Sequence, residues 1–318
     1  MDWTVWPTLV VLLLGGLVIG QRWWRWGRDD ADILQGQVGV SGSKASLLDP
    51  ESVAVEFSPP QQLTPALLGL ILDKKVGGRA MTATIVNLAV RGYLTITETA
   101  DAKDWVLEQK TSSREGLLAY ESILMNGLFP GSERTQVKLS ELSGALAGVL
   151  PAAERAVYTD TRARQWFTQQ PDQVIGFWAV RGGLLIAVAL LYLHNLVGLA
   201  LGLVGAADIL TGKFMVARTA VGREMLERML GFKLYIETAE KGRSQAAAQS
   251  GAWTQALPYA IAFGCVSMWA KAMASENAAA SVSWYAGSGL FAAGMIPDRM
   301  QALEAKVSGA SQLTPTWN

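Results

Sequence analysis

Two opposite charges bound an otherwise apolar stretch: Arg181 and Asp208, with the 26 residues from Gly182 to Ala207 between them carrying none. Ionisable side chains at membrane depth are costly, tend to pair, and mark ion paths or proton relays. No third ionisable group accompanies this pair, so it reads first as a structural clasp and second as a relay. Both charges are equidistant from His194-Asn195, the polar break in the run. That symmetry predicts a helical hairpin turning at His194-Asn195, with Arg181 and Asp208 at one depth. Arg181 then lies about one and a half turns inside the bilayer, shallow enough to snorkel towards the headgroups.

Other chemistry finds little to work with. The single cysteine, Cys265, excludes an internal disulfide and a cysteine metal cage. It sits in an apolar helix and reads as an inert buried thiol. The single histidine, His194, leaves no imidazole outside the hairpin turn, and with it no Ser-His-Asp arrangement. The string from Gly205 to Phe214 has the wrong spacing for a phosphate loop and places Phe214 after Lys213. Glu237 and Glu240 read as a solvated helix face. Arg91, in AVRGYL, reads as the partner of a buried acid or of a neighbouring helix end. No catalytic, cofactor-binding or metal-binding residue is assigned, no cofactor is expected, and the balance leans away from an enzyme.

The elements that must position these residues are dominated by apolar runs. The chain is 318 residues long, 50% hydrophobic and 17% charged, against about 25% charge in ordinary soluble domains. Its mean hydropathy is +0.23. Formal net charge is zero, so no global field recruits acidic ligands. The first run, Trp3 to Gly20, holds 18 residues without a charge, within the roughly 17–25 that a span needs. QRWWRWGRDD follows, interleaving Arg22, Arg25 and Arg28 with Trp23, Trp24 and Trp26. Arginines mark a cytoplasmic flank and tryptophans settle at headgroup level, which makes this segment an interfacial anchor and puts the N-terminus outside. A lipid-binding patch is the other reading.

The second apolar region, Val174 to Leu210, is too long for one level span. Arg155, Arg162 and Arg164 precede it; Lys213, Arg218, Arg223 and Arg228 follow. Two basic flanks are two cytoplasmic flanks, and only a hairpin provides them. Gly198, Gly202 and Ala206 recur at four-residue spacing, as do Gly16 and Gly20. Small residues so spaced let helix backbones approach, either among the three spans or between copies in a homo-oligomer.

Between the spans, Val53, Val55 and Phe57 alternate as a short strand before Pro59-Pro60. Thr64-Pro65 opens a helix through Lys75, and a second helix from Ala80 closes at Gly92. A hairpin follows: Tyr93 to Glu98, a polar turn, then Trp105 to Glu108. Two helices and a hairpin are the order of a winged-helix module. From 60 to 170 twelve basic residues face eleven acidic ones, and a DNA reader needs a basic face. Nucleic acid is therefore not expected, and a protein partner is. Helices are further expected over Glu115 to Phe129, over Ser140 to Phe167, and after a Thr219 cap. Leu257 to Trp269 is too short for a span and reads as an amphipathic or interfacial helix. Asn277 to Pro297 reads as non-spanning, and the tail from Asp298 as loose.

LTPALLGLILDKK followed by MTATIVNLAVRGYLTI, and later RTAVGREMLERMLGFKLYIETAEKGR followed by ALPYAIAFGCVSMWAK and SVSWYAG, resemble the YciQ-like predicted membrane proteins. The resemblance runs from about Trp23 to Gly287. It implies a membrane location and a hairpin with both ends inside, and it transfers no catalytic residue. Relatives usually carry a β-rich extracytoplasmic domain before the first span; here Met1 stands two residues from the apolar run, and a shortened member or a fragment is expected.

The organisation expected is a mostly α membrane protein with three transmembrane helices and a small α+β winged-helix-like cytoplasmic domain. Its parts are a first span at 1–21, a basic-aromatic segment and linker at 22–62, and the winged-helix-like domain at 63–170. A transmembrane hairpin at 174–211, a cytoplasmic helical region at 212–275 and a loosely ordered tail at 276–318 follow. The expected setting is the cytoplasmic (inner) cell membrane, in contact with membrane lipid, as a multi-pass protein whose soluble parts are cytoplasmic. A reporter fused after Asn195 is expected to report outside and one after Asn318 inside; an outside signal at Asn318 would break the hairpin topology.

Overall fold

A computed structural model describes residues 5–27, 54–60, 63–99, 101, 104–131, 135–192, 195–238, 252–275, 283–286 and 296–312. In chain order it contains α1 (Val5–Arg22), a π-helical turn (Trp23–Gly27), α2 (Pro65–Asp73), α3 (Gly78–Val90), β1 (Leu94–Glu98) and β2 (Trp105–Gln109). Then come α4 (Ala119–Leu128), β3 (Gln136–Lys138), a 3-10 turn (Leu139–Leu142), α5 (Ser143–Ala163), α6 (Pro171–Leu191) and α7 (Leu196–Thr211). A second 3-10 turn (Gly212–Met215), α8 (Ala220–Thr238), α9 (Ala252–Phe263), α10 (Val266–Ser275), β4 (Tyr285–Ala286) and α11 (Ile296–Gln312) complete it. The protein is mostly helical, with a small sheet. It divides into two compact units: Met1–Lys44 with Thr161–Glu224, and Ala45–Asp160 with Met225–Asn318.

The first unit holds three helices long and apolar enough to cross a membrane: Val5–Gly27, Pro171–Leu191 and Leu196–Met215. At 1.5 Å per residue the 21 residues of α6 span about 30 Å, the thickness of a hydrocarbon core. Their outward side chains, such as Leu13, Leu184 and Leu191, are exposed, as lipid-facing positions are. Asn195 caps α7: its Oδ1 accepts the Gly198 N–H at 3.0 Å. His194 lies outside the described residues.

The second unit is built around α3. Every residue from Ala80 to Ala89 is buried, between α2, α9 and α11. Gly69 of α2 sets the α2–α3 distance, because a Cβ there would lie 2.9 Å from the Ala80 Cβ. Gly92, at φ +82, ends α3 as the sequence predicts. The Gly92 and Tyr93 N–H groups bond the carbonyls of Ala89 and Leu88, a Schellman closure that only a left-handed residue permits. The chain then enters the hairpin, whose register pairs Ile96 with Leu107. Strand order is β3-β2-β1-β4, with β4 parallel to β1. Arg91 meets the buried acid expected of it. Its Nη1 donates to Glu121 Oε1 at 2.7 Å, its Nη2 to the Gly116 carbonyl at 2.7 Å, and its guanidinium lies 5.0 Å from the Tyr93 ring centre. Glu121 is fully buried, and its other oxygen accepts the Leu118 N–H.

Several expectations are corrected. Ala54 to Pro60 form no strand. The backbone at Ala54 runs against Gly231 of α8, Glu56 pairs with Arg228 at 2.7 Å and Phe57 meets Tyr235 edge-on. The alternation belongs to an extended segment laid on a helix. Thr64 precedes α2 without a side-chain cap bond; its hydroxyl is engaged by Tyr120 instead. Leu257 to Trp269 is not an interfacial helix but two short ones, broken at Gly264 (φ +73), with Leu257, Ala260, Ile261 and Trp269 in the core. Nor is the chain loose from Asp298 to Gln312; residues 313–318 lie outside the described residues. Helix α11 buries Met300, Leu303 and Val307 and ties itself down through Arg299–Glu98 (2.7 Å), Lys306–Asp104 (2.8 Å) and Glu304–Arg79 (3.3 Å).

Tyr259 of α9 donates to the Leu63 carbonyl at 2.7 Å. Burial, against the opposing pull of Arg91, pushes its hydroxyl up from 10.0 to about 12. A raised pKa contributes stability that is complete below the unfolded value and is lost as pH rises through the folded one. Unfolding of the solubilised protein, followed between pH 10 and pH 12, is therefore expected to show a loss of about 2–3 kcal/mol from this residue. Tyr259→Phe should flatten that part of the pH dependence; an unchanged slope would assign it elsewhere.

A clasped intramembrane hairpin as the candidate site

The hairpin halves meet where neither helix has a side chain. A Cβ on Gly182 would lie 2.5 Å from the Gly205 carbonyl oxygen, and one on Gly205 would lie 2.6 Å from that of Gly182. Such backbone contact is the usual basis of helix association in lipid, where apolar burial gives no preference for protein over solvent. Arg181 directly precedes the first glycine and Asp208 follows the second by three residues, nearly one turn. Both charges are thereby brought to one seam, with Arg181 Nε 3.3 Å from Asp208 Oδ2.

Their environments differ. The Asp208 side chain is fully buried, whereas that of Arg181 is 28% exposed. Neither Asp208 oxygen has an aligned hydrogen bond among the described residues, so the pair is held by charge and proximity more than by donor geometry. Trp178 completes it: the Arg181 guanidinium carbon lies 4.9 Å from its ring centre. The indole is itself buried, with a Cβ on Gly212 reaching within 3.0 Å of the Trp178 Cβ. Arg181 is thus held between an aromatic face and a carboxylate, a cation–π contact on one side and a Coulombic one on the other. This is well made for neutralising two charges within apolar surroundings.

Helix α1 joins the hairpin through Gly15, where a Cβ would stand 2.7 Å from Val204 of α7. Gly16 and Gly20, the pair singled out by spacing, have nothing within 4 Å. At the other end of α1 the helix widens into the π-helical turn, which carries Trp23, Trp24, Arg25 and Trp26, with Arg22 just before it. All five are exposed. Arg28 lies outside the described residues. The anchor residues and the charged pair are separate features on the same three helices. Trp178 and the Gly182/Gly205 crossing went unrecognised in the sequence, although Trp178 stands one turn before Arg181, where an aromatic reaches a cation on the same helix face.

A double-mutant cycle measures the clasp. Arg181→Gln leaves the buried Asp208 without its cation and is expected to cost a few kcal/mol in the thermal unfolding of the detergent-solubilised protein. Adding Asp208→Asn should recover about 1–2 kcal/mol of that loss. Strictly additive effects would show that the two side chains are near but uncoupled.

Neither a curated protein nor a solved structure matches the chain. Residues 54–273 match the family described as "Predicted membrane protein (DUF2207) C-terminal domain". That match takes in most of the second unit and the whole α6–α7 hairpin with its charged pair, well over half of the 318 residues, and the chain belongs to that family of membrane proteins.

Proposed function

We propose that this membrane protein is a non-enzymatic interaction or signalling scaffold, of YciQ-like type. Its hairpin anchors it in the cytoplasmic membrane, and its winged-helix-like unit offers a cytoplasmic face to a protein partner. The observation that carries this reading is the internal use of reactive side chains in the second unit. Arg91–Glu121, Arg299–Glu98, Lys306–Asp104, Arg228–Glu56 and Arg79–Glu304 are all ion pairs within it. The Cys265 thiol is buried and pushed up to about 12, mainly by that burial, far from the thiolate a nucleophile needs.

The order α2–α3–β1–β2 supports the winged-helix likeness. The same order argues against nucleic acid, because the helix that would enter a groove in such a module is α3, and α3 is buried from Ala80 to Ala89. The basic residues Arg22 at the end of α1 and Arg25 after it, Lys213 after α7, and Arg162 and Arg164 before α6 support the topology with the N-terminus outside and both hairpin ends inside.

One observation favours a second reading, a membrane enzyme or transporter component using the Arg181–Asp208 pair: a fully buried carboxylate lacking an aligned hydrogen bond. The double variant Arg181→Gln with Asp208→Asn separates the two. On the scaffold reading it still inserts and migrates on native gels in the same complex as wild type, and reconstituted vesicles show equal proton and sodium flux with either protein. Flux in wild type that the variant abolishes would replace the scaffold by the transporter.

A further inference from the structure

Two spans end in touching turns that each expose positive charge. The π-helical turn after α1 exposes Trp23, Trp24 and Trp26 around Arg25, with Arg22 beside them. The 3-10 turn after α7 exposes Lys213 and Phe214. These turns are in contact: a Cβ on Gly27 would lie 2.5 Å from the Phe214 carbonyl oxygen, so a side chain there would push them apart.

Every formal charge among the described residues of the two turns and Arg22 is positive. Among the described residues no ion pair engages Arg22, Arg25 or Lys213. Arg22 lies over the Trp26 ring at 5.9 Å, and Lys213 over the Phe214 ring at 5.0 Å. Of the described acids in this unit, Asp208 is committed to Arg181, Asp172 has a carboxylate oxygen buried in the first turn of α6, and Glu224 belongs to α8; Asp29, Asp30 and Asp32 lie outside the described residues. A stop-transfer anchor needs only scattered positive charge. Here a close approach of Gly27 to the Phe214 backbone holds together two turns from different spans, each exposing positive charge beside aromatics that settle at headgroup depth.

We propose that Arg22, Arg25 and Lys213 form a site for the phosphate of an anionic phospholipid headgroup, flanked by the three tryptophans and Phe214. Arginine's planar fork matches phosphate oxygens, and lysine adds a point charge. The occupant is a lipid and not a soluble anion, because the cations sit within an exposed apolar and aromatic surface that acyl chains cover. The proposal stands independently of the scaffold reading.

The test is native mass spectrometry of the full chain released from detergent, with phosphatidylglycerol and phosphatidylcholine added at equal concentration. The wild type is expected to retain phosphatidylglycerol preferentially. Each cation near an anionic surface contributes about a factor of five, so Arg25→Gln with Lys213→Gln should reduce the preference by roughly thirty-fold. The charge-keeping swap Arg25→Lys with Lys213→Arg should retain most of it. Lys138→Gln with Lys271→Gln, which removes the same charge from exposed positions in the other unit, should leave it unchanged. Equal retention of both lipids by the wild type would overturn the site, as would equal effects of the two neutralising variants. Displacement of phosphatidylglycerol by millimolar inorganic phosphate would also overturn it, in favour of a soluble-phosphate site.

Discussion

The arrangement of the membrane unit rests on one backbone contact, Gly182 against Gly205. Lipid offers no reward for burying leucine against leucine, so helices stay together only where they pack closely or neutralise polar groups. This contact does both, since the approach it allows is what brings Arg181 and Asp208 within 3.3 Å. One residue earlier on α7, Val204 fills the notch that Gly15 leaves in α1. A single turn of α7, residues 204 to 208, therefore organises all three spans. Breaking a buried pair by removing one partner costs far more than the intact pair contributes, so any arrangement of the hairpin that separates Arg181 from Asp208 is disfavoured.

The second unit solves a different problem with the same residue types. A buried carboxylate is tolerated when its lone pairs are satisfied, and Glu121 meets that condition through Arg91 and the Leu118 N–H. The guanidinium in turn bonds the Gly116 carbonyl, and the Tyr93 hydroxyl bonds the Glu115 carbonyl. One polar network thus joins the end of α3, the start of β1, and the loop into α4. Its members begin within a turn of Gly92, whose left-handed conformation sets the direction of the hairpin.

Features governed by charge were readable in the sequence, and those governed by what covers an apolar surface were not. The hairpin followed from two charges symmetric about His194-Asn195, and the Arg91 partnership from an arginine in an otherwise apolar helix end. The strand expected at Val53 to Phe57 failed because period-two alternation also describes an extended segment lying along a helix. The tail from Asp298 was misjudged because its composition is mild, although Met300, Leu303 and Val307 make a helical stripe. Gly16 and Gly20 have a packing motif's spacing, yet Gly15 makes the contact; spacing marks a competent face and does not say which neighbour arrives. In the candidate site, the two charges were readable and the Trp178 shelf was not, since tryptophan near a span end is expected at the interface in any case.

The parallel pairing of β4 with β1 sets an order of events during synthesis. Tyr285 and Glu98, joined by a hydrogen bond, are 187 residues apart, and Lys306 and Asp104 are 202 apart. Both spans of the hairpin lie between them in the chain. The sheet edge at β1 and the side of α3 that α9 and α11 cover must wait through the translation and insertion of α6 and α7, and are closed only once the chain through α11 has been made. The second unit is thus completed after the membrane hairpin is made. A chain stalled or cut before Tyr285 would carry an inserted anchor, an open strand edge and an uncovered helix, the features that aggregation and quality control recognise.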